Sequence, residues 1–293
     1  MNMNLSVRPL GARDQRVQRL RRLLRRSSVR DLEHSFVAEG AKLVEAALDA
    51  GAPVEAIFVA ADWQSMPPAA AVVERAAAMG IAVFGLGPGV MDRVADTVSP
   101  QPVCAVVRSV DVGLDELLSR YSTVPTSTEA GPPSSLAEKV SSVTLVCVDV
   151  RDPGNLGAVL RIAGATGARG VICCAGTVDP FNPKVVRASA GAVFRVPLVV
   201  GIQPVEALNA LGRCGYRRWA TVPHGGTDYT VADLSGSSAL VLGNEGAGLP
   251  VEVVSQLDGS LTIPMEAGTE SLNVAMTVAV LCFEAMRRRR SAV

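Results

Sequence analysis

Three glycine-marked segments in the second half of the chain carry residue types that can hold a ligand against backbone amides and meet an anion. The first is Asp152-Pro153-Gly154-Asn155-Leu156-Gly157, which opens a helix containing Arg161. Asn155 stands where a helix N-cap belongs, and a capping role alone accounts for an asparagine there. Arg161 is harder to explain structurally. It interrupts the small and apolar run Ala158 to Ala165, where burying a guanidinium is costly unless an anion meets it. The second segment is Leu242-Gly243-Asn244-Glu245-Gly246-Ala247-Gly248-Leu249-Pro250. Its glycines allow positive φ and close approach of a ligand to backbone amides, although a plain strand-to-helix turn uses the same residues. The third runs from Ile263-Pro264-Met265 to Ser271-Leu272-Asn273-Val274-Ala275. There Ser271 suits the cap of the last helix, and Asn273 is expected to be a buried amide in need of partners.

Other chemistries lack their residues. No GxGxxG lies between a strand and a helix, no GxxxxGK[ST] occurs, and Gly85-Leu86-Gly87-Pro88-Gly89 is a loop interrupted by proline, which removes the dinucleotide and P-loop patterns. No Gly-x-Ser-x-Gly elbow is present, and the two histidines, His34 and His224, have no metal-type spacing. The six cysteines contain no CxxC and several sit in apolar strand-like runs, so a reduced, cytoplasmic protein without a bound metal is expected.

The elements that must position the three segments are legible from hydrophobic period. Residues 13–30 read as one basic amphipathic helix, with Val17, Leu20, Leu23 and Leu24 at helical spacing. A compact α/β pattern follows: Phe36–Gly40, Ala56–Ala60, Ile81–Phe84 and Cys104–Arg108 as strands, with helices over Ala41–Ala50, Val72–Met79 and Val90–Asp96. Ser122 to Ser142 is rich in Ser, Thr and Pro and reads as a linker. From Val143 strand and helix alternate: strands at Thr144–Val150, Gly170–Cys174, Val196–Val200, Trp219–Val222, Ala239–Leu242 and Leu261–Pro264, with helices near Leu156–Thr166 and Pro183–Phe194 and over Val205–Cys214 and Val251–Leu257. Alternation of this kind makes a mostly parallel sheet covered on both faces, with ligands at the ends of its strands. The last helix, from about Leu272, is apolar on both sides: Leu272, Met276 and Phe283 on one, Val274, Val278 and Leu281 on the other. A helix apolar all round must be covered all round, so the Val274, Val278 and Leu281 side is expected to meet a second subunit or another layer of its own domain.

A chain of 293 residues accommodates two domains. The expected division is a basic N-terminal helix over 1–30, a first domain over 31–120, a linker over 121–142 and a second domain over 143–293. Formal charge is zero overall, yet residues 1–30 hold nine arginines and one acid, Asp14, and the chain ends on Arg287, Arg288, Arg289 and Arg290. Such runs serve as solvated helix faces as readily as binding sites. No stretch approaches the roughly 20 apolar residues that span a bilayer, so no membrane partner is expected.

In order, 152–161, 242–249 and 263–265 with 271–275 resemble the three motifs of the SpoU/TrmH family of RNA ribose methyltransferases, within the SPOUT superfamily. Lys184 to Pro197 is similar to the stretch between the first two motifs, and Phe36-Val37-Ala38-Glu39-Gly40 to the ribosomal-protein-like substrate-binding domain that precedes many members. The resemblance implies an α/β fold in two parts: that N-terminal domain, then a SPOUT domain whose end is threaded into a trefoil knot. It also implies a homodimer and a bent S-adenosyl-L-methionine held mainly by backbone around Leu242, Gly243, Gly248, Ile263, Met265 and Leu272. Arg161 corresponds to the family's essential arginine, and Asn155, Glu245, Ser271 and Asn273 complete the polar frame, with Glu245 expected to orient Arg161 from its own or the other subunit. Arginine is a poor base, so a role holding phosphate and favouring ionisation of the ribose hydroxyl is preferred. Arg16, Arg19, Arg22, Arg26 and Arg187 are the expected RNA contacts. Glu270 stands where many relatives have a second serine, and Ala275 where a serine commonly follows Asn-Val. The expected substrate is ribosomal RNA; the alternatives are a transfer-RNA ribose methyltransferase and a catalytically silent RNA-binding or ribosome-assembly factor.

Overall fold

The computed structural model describes residues 9–95, 99–119, 142–234, 236–266 and 268–291; the expected linker over 121–142 lies, apart from Ser142, outside them. In chain order the first elements are α1 (Gln15–Arg25), α2 (Ser27–Glu33), β1 (Ser35–Glu39), α3 (Ala41–Asp49), β2 (Val54–Val59), α4 (Pro67–Ala78), β3 (Ala82–Gly85), α5 (Val90–Val94), β4 (Val103–Arg108) and α6 (Leu114–Ser119). They are followed by β5 (Ser142–Cys147), α7 (Pro153–Thr166), β6 (Gly170–Cys173), α8 (Pro183–Ala188), β7 (Leu198–Val200) and α9 (Pro204–Arg213). The last are β8 (Arg217–Thr221), β9 (Thr227–Asp228), β10 (Ser237–Leu242), α10 (Val251–Val254), β11 (Gly259–Thr262) and α11 (Val274–Ser291). Two compact units result: residues through Val110 together with Phe181–Arg195, and Asp111–Pro180 together with Val196–Val293.

The first unit is a four-stranded sheet in the order β1-β4-β2-β3, with β4 antiparallel to β1 and β2 and β3 parallel to β2. The single helix expected over 13–30 is two. Asp14 caps α1 by accepting the Arg16 N–H, and the chain turns extended at Arg26 before α2 begins. Val17, Leu20, Leu23 and Leu24 are buried, and each fully buried leucine contributes roughly 1.5–3 kcal/mol, so α1 is part of this core. The helix expected over Pro183–Phe194 is also broken. α8 stops at Ala188, and a short 3-10 turn follows Gly191, whose φ is +87°. A Cβ at Gly191 would lie 2.7 Å from that of Ala46. The segment joins the first unit because Phe181 and Phe194 stack on Phe36, with ring centroids 4.7 and 5.9 Å apart.

The second unit is a seven-stranded sheet in the order β7-β6-β5-β10-β8-β11-β9, and every pairing is parallel. Its central strands are buried over residues 143–147, 170–173 and 238–242, as a parallel sheet covered on both faces requires. Cys147 at the end of β5 is in register with Leu242 at the end of β10, so the first two glycine-marked segments leave the sheet side by side. The third leaves β11 on the same edge.

α11 begins at Val274 and packs against α7 and β5. The Val274, Val278 and Leu281 side was expected to meet a second subunit or another layer of its own domain. Val278 and Leu281 are buried within the unit, where α11 packs on α7 and β5, while Met276 and Phe283 are 63% and 46% exposed. All six cysteines are free and only Cys214 is exposed. Burial pushes the Cys174 and Cys282 thiols up to about 12, which keeps them protonated and unreactive near neutrality. Among the described residues no helix is long and apolar enough to cross a membrane, and no group of three or more His, Cys, Asp or Glu is placed to hold a metal.

Candidate functional site

The cap of α7 is Asp152, not Asn155: its carboxylate accepts the Asn155 N–H at 2.8 Å, and Pro153 occupies the first helical turn, where no N–H is needed. That leaves the Asn155 side chain free for longer contacts. Its Nδ2 donates to Glu245 Oε1 at 2.7 Å, and its Oδ1 accepts from Asn273 Nδ2 at 2.8 Å. Asn273 caps α11 by accepting the Ala275 N–H at 2.9 Å. It is exposed, as is Ser271, the residue expected to cap. Asn155, Glu245 and Asn273, one from each of the three glycine-marked segments, thus form one hydrogen-bonded chain.

The second segment closes on itself. Asn244 and Gly248 exchange backbone hydrogen bonds at 3.1 and 2.9 Å, and Asn244 Oδ1 accepts the N–H groups of Gly246 and Ala247, both at 3.0 Å. The glycines therefore make a tight turn whose amides at 246 to 248 are already used within the loop. Gly243 answers a different demand, since a Cβ there would lie 2.7 Å from the Gly248 backbone.

Beside this turn is a cavity of about 860 Å³ lined by Gly243, Glu245, Gly248, Ile263, Met265, Ser271, Leu272 and Asn273. Of the residues expected around a cofactor, only Leu242 is not in the lining; it lies buried in β10, where its carbonyl accepts the Val148 N–H. Leu249, Leu257, Leu261 and Leu281 add apolar wall. Thr221, Val222 and Pro223 also line it and were not expected, though their position just past a parallel strand was the available signal.

Arg161 is exposed and has no hydrogen-bond or ion-pair partner among the described residues. The burial that made it conspicuous in sequence is absent, and within the chain Glu245 engages Asn155 rather than Arg161. The arginines expected to meet RNA divide. Arg16 pairs with Asp14 and lies over the Phe84 ring, Arg19 pairs with Glu33 and Glu55, and Arg187 pairs with the buried Glu39 at 3.1 Å. Arg22 and Arg26 are exposed without such partners among the described residues, as are Arg21 and Arg25.

Residues 142–283 match the SpoU rRNA Methylase family and residues 14–105 the MRM3-like substrate binding domain. Over 92% of its length the chain is 30% identical to an uncharacterized tRNA/rRNA methyltransferase of Synechocystis, 90% of which is covered. Over 93% of its length it is 29% identical to the 23S rRNA (guanosine(2553)-2′-O)-methyltransferase RlmP of Bacillus subtilis, 96% of which is covered. An AdoMet-bound rRNA methyltransferase from Sinorhizobium meliloti superposes with a TM-score of 0.75 at 29% identity, covering 96% of this chain and 98% of that one.

Proposed function

The chain belongs to the SpoU rRNA methylase family, and we propose that it transfers a methyl group from S-adenosyl-L-methionine to a ribose 2′-oxygen of ribosomal RNA. The observation that carries this reading is the chain Asn273–Asn155–Glu245, which ties the first motif segment to the two segments that line the cavity. Ribosomal RNA is favoured because the named relative RlmP acts on 23S rRNA. Where that RNA is found, in the cytoplasm, the enzyme would act.

The cavity fits the cofactor in kind: leucine walls for a purine, and a polar side made by Glu245, Ser271 and Asn273. Bound there, S-adenosyl-L-methionine supplies a sulfonium methyl, so the protein's main task is alignment. Gly243, Gly248, Ile263, Met265 and Leu272 form the cradle, and Leu242 supports it from β10. Asn155 fixes Glu245 and Asn273 to each other and so holds the polar side in one geometry. Arg161, without a partner among the described residues, takes the phosphate beside the target ribose, and its charge favours ionisation of the 2′-hydroxyl. Phosphates farther along the RNA meet Arg21, Arg22, Arg25 and Arg26.

The path from β11 into α11 is read as the thread of the trefoil knot. Two copies are proposed to associate through Met276 and Phe283, the exposed apolar side of α11. Phe283→Arg, which leaves the buried side untouched, then yields monomers in sedimentation; an unchanged sedimentation coefficient places the interface elsewhere.

The function is tested by mapping ribose methylation after incubating the protein and cofactor with RNA from a strain lacking the gene. One new 2′-O-methyl in ribosomal RNA is expected. Arg161→Ala should lower turnover about 100-fold or more while calorimetry finds cofactor affinity nearly unchanged. Methylation of transfer RNA alone would change the substrate, and RNA binding without any methyl transfer would make the chain a silent binding factor.

A further inference from the structure

Asn244 makes five hydrogen bonds, and only four of them close its own loop. In the fifth, its Nδ2 donates at 3.0 Å to the backbone carbonyl of Asp149, in the segment that follows β5. Asp149 has φ +57°, the left-handed region that a residue with a Cβ seldom adopts. Its carboxylate accepts from Arg151 Nε at 2.8 Å, which helps hold this conformation. A strained residue persists where its surroundings specify it, and such residues gather at functional sites. Here the left-handed turn presents the Asp149 carbonyl to the neighbouring loop. The next residue after Asn244 is Glu245, whose Oε1 holds Asn155.

We propose that Asn244 is a positioning residue: through the Asp149 carbonyl it registers the β10 loop against the β5 segment, so that Glu245 meets Asn155. It lines the cavity beside Gly243 and Glu245 but makes no hydrogen bond to Asn155; its side-chain bonds all go to backbone. This rests on the methyltransferase reading above only for its consequence in turnover. Without the tie, the β10 loop keeps its internal turn but is free to shift against α7, and a shift of an ångström at a site built on alignment is expensive.

Asn244→Asp isolates the tie. The carboxylate still accepts from Gly246 and Ala247, but it has no donor and sets an oxygen against the Asp149 carbonyl. Two measurements on the full chain decide the matter. Hydrogen exchange of the peptide spanning 243–249 needs no substrate, and it should quicken about tenfold in Asn244→Asp while the melting temperature holds. Methyl transfer to the mapped RNA should show a lower kcat with little change in KM for RNA. In a double-mutant cycle with Glu245→Ala, the second substitution should add almost nothing, because both remove the same placement. Unchanged exchange, or a kcat within twofold of the parent protein, overturns the proposal; so does a full, additive loss from Asn244→Asp in the Glu245→Ala background. If the parent protein methylates no RNA, the functional reading falls while exchange still decides the tie.

Discussion

The two arginine-rich stretches look alike in sequence and are used in different ways. At the end of α11, Arg287 and Arg288 share Glu284, Arg288 also donates to the carbonyls of Tyr229, Thr230 and Ala232, and Arg289 donates to the carbonyl of Thr166 at the end of α7. Those side chains finish the second unit's own backbone. In α1 and α2, by contrast, Arg16, Arg19 and Arg30 are tied to Asp14, to Glu33 and Glu55, and to the Leu23 carbonyl, whereas Arg21, Arg22, Arg25 and Arg26 point outward without partners among the described residues. A run of arginines therefore announces charge but not its use. What decides is whether a carboxylate or an unpaired carbonyl lies within reach, and that depends on the tertiary fold.

The comparison breaks first at the four outward arginines. Replacing all four with glutamine should weaken RNA binding by about 100-fold at moderate salt and lower the slope of log affinity against log salt by about 3, since each phosphate contact contributes roughly 0.7–0.9. The melting temperature should hardly move. Arg19→Ala should do the opposite, lowering stability while leaving the salt slope alone. Titrations of RNA binding across a salt series, paired with thermal melts, check both; an unaltered slope in the quadruple variant would show that the outward arginines are a solvated face. At the other end, Arg288→Ala leaves three carbonyls without their donor. About 2 kcal/mol of stability should be lost, read as a fall of several degrees in melting temperature, whereas Arg287→Ala, at an exposed side chain screened by solvent, should cost clearly less.

Much of the second unit was legible because buried parallel strands read as apolar runs and their loops announce themselves with glycine. The breaks were not. Gly191 is itself a local breaker, yet α8 already stops at Ala188, and the close approach of Ala46 that leaves no room for a Cβ at Gly191 comes from a strand-helix unit far earlier in the chain. Arg161 was singled out for burial it does not have, because an apolar local sequence says nothing of which face of α7 is covered. Asn155 was read as a cap although Pro153 already pointed one residue back, to Asp152. Asn244, flanked by glycine and turn residues, carried the signature of a side chain that hydrogen-bonds the backbone two residues on. The partner on Asp149 could be known only once β5 and β10 were neighbours. On α11, two apolar sides were apparent, but which one meets α7 was not.

The smallest effect concerns acid. Hydrogen bonds from Arg287 first and Arg288 second hold the Glu284 carboxyl at about 2, below its ordinary 4.5. A carboxylate depressed in the folded state stabilises that state fully above about 4.5, and the contribution is lost as pH falls through about 2. Melting temperature should therefore drop less steeply from pH 4.5 to 2 in Glu284→Gln than in the parent protein. The same carboxyl separates the two arginines that share it. Because Arg287 supplies the larger part of the depression, Arg287→Ala should move the Glu284 titration further toward 4.5 than Arg288→Ala does, even though Arg288→Ala costs more stability. Carbon-detected titration of the Glu284 side chain measures the first ordering and thermal melting the second. If the two orderings agree, with Arg288 dominant in both, then Arg288 acts chiefly through its carboxylate rather than through the carbonyls of Tyr229, Thr230 and Ala232, and the end of α11 is an ion-pair cluster instead of a clasp on the backbone.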